Sequence, residues 1–187
     1  MSRLRSLASF WRAFFQDRRG VSAVEFALIA PVLIVMYCGM AELTQAMMAQ
    51  RRLSNIASSI GDLVAQGTQT GPTKTTDIFT IGNTIMAPFS ASTLKMCVAS
   101  VASDSTGKDT VAWSKASTTM STCPAAGAVL TDVPVGVLPA SQTVILARAS
   151  YTYTSPIKLV LPTSMTFSRT YYLKPRKSDS VLWNSAS

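Results

Sequence analysis

The side chains able to do chemistry in this chain are few, and the most conspicuous is an acid in the wrong solvent. Glu25 stands at the mouth of the otherwise uncharged run Phe26 to Ala41, and Gly20 precedes it by five positions, directly behind the basic pair Arg18 and Arg19. An ionised carboxylate near acyl chains is costly unless a counter-charge reaches it, which makes an acid at such a place a functional candidate by default. The competing reading is a glutamate that snorkels to the interface with no partner. Gly20 likewise has two readings, a recognised position or a simple break between leader and span. Cys97 and Cys123 lie outside the apolar run and Cys38 lies within it. The outer pair fits one disulfide in an oxidising compartment, with two unrelated buried thiols as the alternative, and their Cα separation decides between them. Histidine is absent, which removes Ser-His-Asp and Cys-His catalysis and the commonest metal ligand. Asp104, Asp109 and Asp132 fall in loop-like segments with no evident partner. No catalytic residue, metal site or cofactor is expected, and the chain reads as a non-enzyme.

The elements that must position Glu25 begin with charge. Of the formal net charge of +8, half sits in residues 1–20, where Arg3, Arg5, Arg12, Arg18 and Arg19 face Asp17 alone. That leaves no dense basic face for nucleic acid, and basic residues ahead of an apolar segment are the expected cytoplasmic flank of a membrane span. Within this leader Leu4, Leu7, Trp11, Phe14 and Phe15 recur at helical spacing, as in a short helix on a leaflet surface or a flank that never orders. The uncharged run alone, at about 1.5 Å per residue, falls short of a hydrocarbon core about 30 Å thick. A span therefore needs Val21 to Leu43, with Glu42 marking its outer end and Pro31 predicting a bend. Gly39 and Ala46 are small enough to admit a neighbouring helix. Leu53, Ile56, Ile60 and Val64 keep the helical period past the span, so one helix over 21–66 is expected to leave the bilayer and present an apolar stripe, with Gly67 as its stop.

The remainder, 67–187, reads as one head domain. "TTDIFTIGNTIMAPF" predicts a short second helix ended by Pro88. "STLKMCVASVAS", "TVAWSKAS", "TVILARASYTYT" and "SMTFSRTYYLKP" are four β-rich runs, and "SDSTGKDT" between the first two is a hairpin turn. Ile145, Ala147, Ala149, Tyr151 and Tyr153 share one face, as do Met165, Phe167, Tyr171 and Leu173, interrupted by Arg169. The prediction is an α+β fold: a long N-terminal helix packed on a small antiparallel sheet of about four strands, with one face covered. Arg148 and Arg169 read as cross-strand pairs rather than a binding face, Lys174, Arg176 and Lys177 as a solvated strand end, and the tail as disordered beyond Trp183.

A secretory signal would place its small-residue cleavage site after the apolar core, whereas Gly20 precedes it. The basic leader, Gly20 and the glutamate five positions later resemble a type IV prepilin. "RRGVSAVEFALIAPVLIVMYCGMAEL", "VAWSKAS", "ASYTYTSP" and "TFSRTYYLKPR" are together similar to TadE-like pseudopilins, minor pilins of the tight-adherence (Tad, or Flp) pilus systems. That resemblance implies a pilin-like, single-pass protein of the bacterial inner membrane, with a cytoplasmic N-terminus and a periplasmic head. It also implies cleavage between Gly20 and Val21 by a prepilin peptidase, and partners among other pilins and the assembly machinery. No small-molecule substrate and no nucleic acid follow from it. Cleavage would free the Val21 amine one helical turn from Glu25. Pairing of Glu25 with a mature N-terminal amine, its own or a neighbour's, would then set the axial register of packed helices. The alternative is an uncleaved, signal-anchored periplasmic module that binds an envelope component. Processing at Gly20 separates the two.

Overall fold

The computed structural model describes residues 20–118 and 120–185, so the leader reading over residues 1–19 lies outside the described residues. Helix α1, Val21–Ala65, runs 45 residues without interruption through Pro31, about 68 Å at 1.5 Å per residue. Two different faces compose it. Residues 21–37 are exposed apart from half-buried Ala30, whereas from Gly39 onward buried positions recur every three or four residues, through Glu42, Ala46, Ala49, Leu53 and Ile56 to Ile60 and Val64. That recurrence is the signature of one helical stripe against a core. Full burial of Leu53, Ile56 and Ile60 stabilises the head by roughly 1.5–3 kcal/mol each. The helix ends one residue short of the sequence expectation, at Ala65, and the Gln66 and Gly67 amides close its last turn on Asp62 and Val64.

Strands β2 (Lys95–Ser103), β3 (Asp109–Ala116), β5 (Thr143–Tyr153) and β6 (Met165–Leu173) coincide with the four β-rich runs. With the two-residue β4 (Val129–Leu130) they form a five-stranded antiparallel sheet in the order β4-β3-β2-β5-β6. Alternation decides what each face meets. Ile145, Ala147, Ala149, Tyr151 and Tyr153 of β5 join Met96 and Val98 of β2 against α1. Small residues let helix and sheet approach closely: a Cβ at Gly61 would lie 2.8 Å from the Ala147 Cβ and closer still to Leu173. Helix α2, Pro72–Met86, opens on a proline at its first position and seals the end of this core with Ile78, Phe79 and Met86. Arg52 reaches across to donate to the Ile85 carbonyl at 2.9 Å.

The expectation of one covered face is corrected. Ala99, Val101, Val111, Val144 and Leu146 point away from α1 and form a second buried cluster beneath Leu130, Leu138 and Tyr172. The segment between β3 and β5, which includes the two-residue β4, supplies this cover through Leu130 and Leu138. The tail is held through Asn184, one residue past the Trp183 beyond which disorder was expected. β7 (Leu182–Trp183) pairs in parallel with β1 (Gln69–Thr70), and the Asn184 amide donates to the Thr70 carbonyl at 2.8 Å. Trp113 holds it there by donating Nε1–H to the Val181 carbonyl at 2.7 Å and stacking, tilted, on Trp183. An aromatic ring with one polar tip, buried at a strand end, orders a segment that composition alone marks as loose.

Candidate functional site

Gly20 is the residue just before α1, and an added Cβ there would meet nothing within 4 Å. Among the described residues nothing covers the Gly20–Val21 bond, which lies at the end of the helix away from the head. Glu25 lies one turn along, exposed, and makes no ion pair among the described residues. Its neighbours are apolar and equally uncovered: Phe26 is 69% exposed and Leu28 72%. α1 is long and apolar enough to cross a membrane, and its most apolar window contributes nothing to the core. Side chains of this kind left in water would carry a large unfavourable hydration term, which lipid or other helices remove. The arrangement therefore displays a carboxylate on an apolar rod with no ion-pair partner among the described residues.

Glu42 is a different case: besides standing where the sequence reading puts the outer end of the span, it has a structural role that the sequence did not show. It is fully buried. One carboxylate oxygen accepts the Leu159 amide at 2.7 Å, and the other accepts the amides of Val160 at 2.8 Å and Leu161 at 2.7 Å. The Ser155 hydroxyl, itself buried, also bonds the carboxylate and accepts from the Ile157 amide at 3.3 Å. Three successive amides converging on one anion form a nest, and charge-assisted bonds of this length are the strong kind. Glu42 thus fixes the 154–164 connection between β5 and β6 onto α1. Gly39, one turn before it, is where that connection touches the helix: a Cβ there would lie 2.9 Å from the Val160 Cγ2. Gly39 and buried Ala46 therefore face this chain's own head rather than admitting a neighbouring helix, as the sequence had suggested. What could have pointed to Glu42 is "SPIKLVLP", an apolar run bounded by Pro156 and Pro162 that fits no strand of the sheet.

Elsewhere the side chains serve the fold. Cys97 and Cys123 are joined, with Cα atoms 5.7 Å apart. The bridge ties the covering segment to the outer face of β2, while Cys38 is free and half-buried on α1. Arg148 reaches the same segment, pairing with Asp132 and donating to the Thr122 carbonyl at 2.6 Å. Asp132 accordingly has the partner that sequence could not name, and Arg148 is no cross-strand pair. Asp104 also has a defined role. Its carboxylate accepts from the Thr106 hydroxyl and from the Thr106 and Lys108 amides, which hold its pKa below the usual range and shape the turn completed by Gly107 at φ 82°. Among the described residues no group of three or more His, Cys, Asp or Glu side chains could hold a metal ion.

A family model described as TadE-like protein matches residues 20–61. This stretch is similar to the TadE-like family. It opens on Gly20, takes in both glutamates, and closes at Gly61, where α1 packs on Ala147. The match covers less than a quarter of the chain, and it is consistent with a TadE-like protein of Tad pilus systems. No curated protein and no solved structure matches the chain. The TadE-like signature accordingly resides in the helix, including the whole exposed apolar half, and not in the sheet.

Proposed function

We propose that the protein is a minor pilin or pseudopilin needed to assemble a Tad pilus, anchored in the bacterial inner membrane by α1 with its head in the periplasm. The observation that carries this reading is the coincidence of two boundaries: the TadE-like match begins at Gly20, and the uncovered apolar helix begins at Val21. A prepilin peptidase cuts between them. The freed Val21 amine supplies the counter-charge that makes Glu25 tolerable in lipid, and Glu25 pairs with that amine or a neighbouring pilin's to set helix register. Pro31 removes one amide donor from the helix within the span without interrupting it. The role is structural rather than enzymatic, and the partners are other pilins, met through residues 21–38.

Intact-mass measurement and N-terminal sequencing of the membrane-extracted protein test the reading at its root. A mature chain beginning at Val21 is expected, and a Gly20→Leu variant should accumulate as precursor. A wild-type protein that keeps its leader would instead mean a simple membrane-anchored module.

A further inference from the structure

The connection between β5 and β6 carries apolar side chains that neither the head nor α1 covers. Ile157 is 45% exposed, Leu159 49% and Val160 44%, and Lys158 between them is exposed with a positive φ of 57°. Their place in the molecule is set by contacts along α1. Asp62 pairs with Arg176 just past the end of β6, Ser54 bonds Tyr171, Gln45 bonds Tyr153 at the end of β5, and Glu42 binds the connection itself. The β5–β6 hairpin therefore points its tip back along α1 toward the apolar half. Counting from Val21, Glu42 lies about 32 Å along the helix, close to a hydrocarbon thickness of about 30 Å. The tip thus sits at the level where the span leaves the acyl region, and its apolar surface is continuous with that of the span through the Val160 contact at Gly39.

We propose that residues 157–160 dip into the outer-leaflet interface and form a second membrane contact for the head, resting on the reading of Val21 to Leu43 as a span. Irregular backbone is excluded from lipid because its amides go unsatisfied. Here the amides of Leu159, Val160 and Leu161 are already bonded to Glu42, so these donors need no water when the tip offers its side chains to an interface where its carbonyls stay hydrated. Lys158 adds a positive charge at the depth of headgroup phosphates, with a stem long enough to reach them. The contact fixes the tilt of the head relative to the membrane before the subunit leaves it.

The full chain, with Cys38→Ser and the Cys97–Cys123 bridge kept oxidised, is placed one copy per nanodisc of phosphatidylethanolamine and phosphatidylglycerol and labelled with an environment-sensitive fluorophore at Leu159→Cys. Leu28→Cys marks the span, and Val135→Cys, on a fully exposed loop, marks solvent. Brominated acyl chains should quench the label at 159 to roughly half the extent seen at 28, with iodide protection, as for an interfacial segment. The label at 135 should respond to iodide alone. Quenching at 28 but not at 159 overturns the proposal and leaves the span intact, whereas no quenching at either position overturns both. A label at 159 that becomes shielded only at several copies per disc, insensitive to bromolipid, assigns the tip to a second copy of this chain and also overturns it. Processing at Gly20 is read separately by mass, so failure of the pilin reading remains distinguishable.

Discussion

Glu25 and Glu42 occupy one helix, within one TadE-like stretch, and the molecule treats them in opposite ways. Glu42 is enclosed by the head and saturated by three amides and a hydroxyl. Glu25 is exposed, surrounded by apolar side chains, and without an ion-pair partner among the described residues. The same residue type thus completes an intramolecular structure at one site and leaves an open valence at the other. Glu42, whose partners lie in the head, is tied to stability, whereas Glu25 has no ion-pair partner among the described residues and is the acid that the proposed function assigns to assembly.

The largest effects should separate the two. Glu42→Ala strips the acceptor from three converging amides, and a buried donor left unsatisfied costs its full desolvation. Thermal unfolding in detergent should show Tm lowered by roughly 10 °C, together with protease cleavage within 154–164. Glu25→Gln should leave Tm within about 1 °C, since exposed substitutions away from packed features change stability little. Cell-surface pili should nevertheless disappear, while insertion and leader removal persist. If Glu25→Gln destabilised the head, or Glu42→Ala left its stability untouched, the division of roles would be wrong.

Smaller effects test whether the head's two faces are as separable as its two glutamates. Cys97→Ser with Cys123→Ser opens the closure of a segment spanning 26 residues, with an expected loss of about 3 kcal/mol in denaturant unfolding. Proteolysis should then begin in 120–142, ahead of α1, because the bridge and the Arg148–Asp132 pair hold that cover on the outer face. Gly61→Val acts on the other face. Its side chain must enter space already occupied by Ala147 and Leu173, and overpacking of this kind costs roughly 1–3 kcal/mol.

Much of this architecture was legible because it rests on periodicity. The stripe Leu53, Ile56, Ile60 and Val64 and the alternation from Ile145 to Tyr153 report local geometry, so the long helix and four main strands could be read directly. Glu42 could not, because its burial depends on a segment more than a hundred residues away whose own sequence has no regular period. The second covered face escaped for a related reason: Leu130 lies in a two-residue strand too short to show a period, and Leu138 lies in the irregular connection after it. Glu25 was legible because its signal is chemical, a charge among apolar neighbours, and needs no fold to be noticed.

The smallest expected effect concerns Asp62, the third acid of α1. Asp62 pairs with Arg176, whose side chain is 63% exposed, while the Arg176 amide donates to the Ala65 carbonyl at 2.9 Å. The amide bond caps the end of α1 whatever side chain residue 176 carries, so Arg176→Ala removes the ion pair and keeps the cap. Exposed pairs of this sort contribute about 0.2–1 kcal/mol, and salt screens them. Arg176→Ala and wild type should therefore differ by under about 1 kcal/mol at low ionic strength and converge as salt is raised. A larger, salt-insensitive loss would mean that the guanidinium stem packs against the helix end, and that Asp62 stands with Glu42 as a structural acid rather than with the solvated surface.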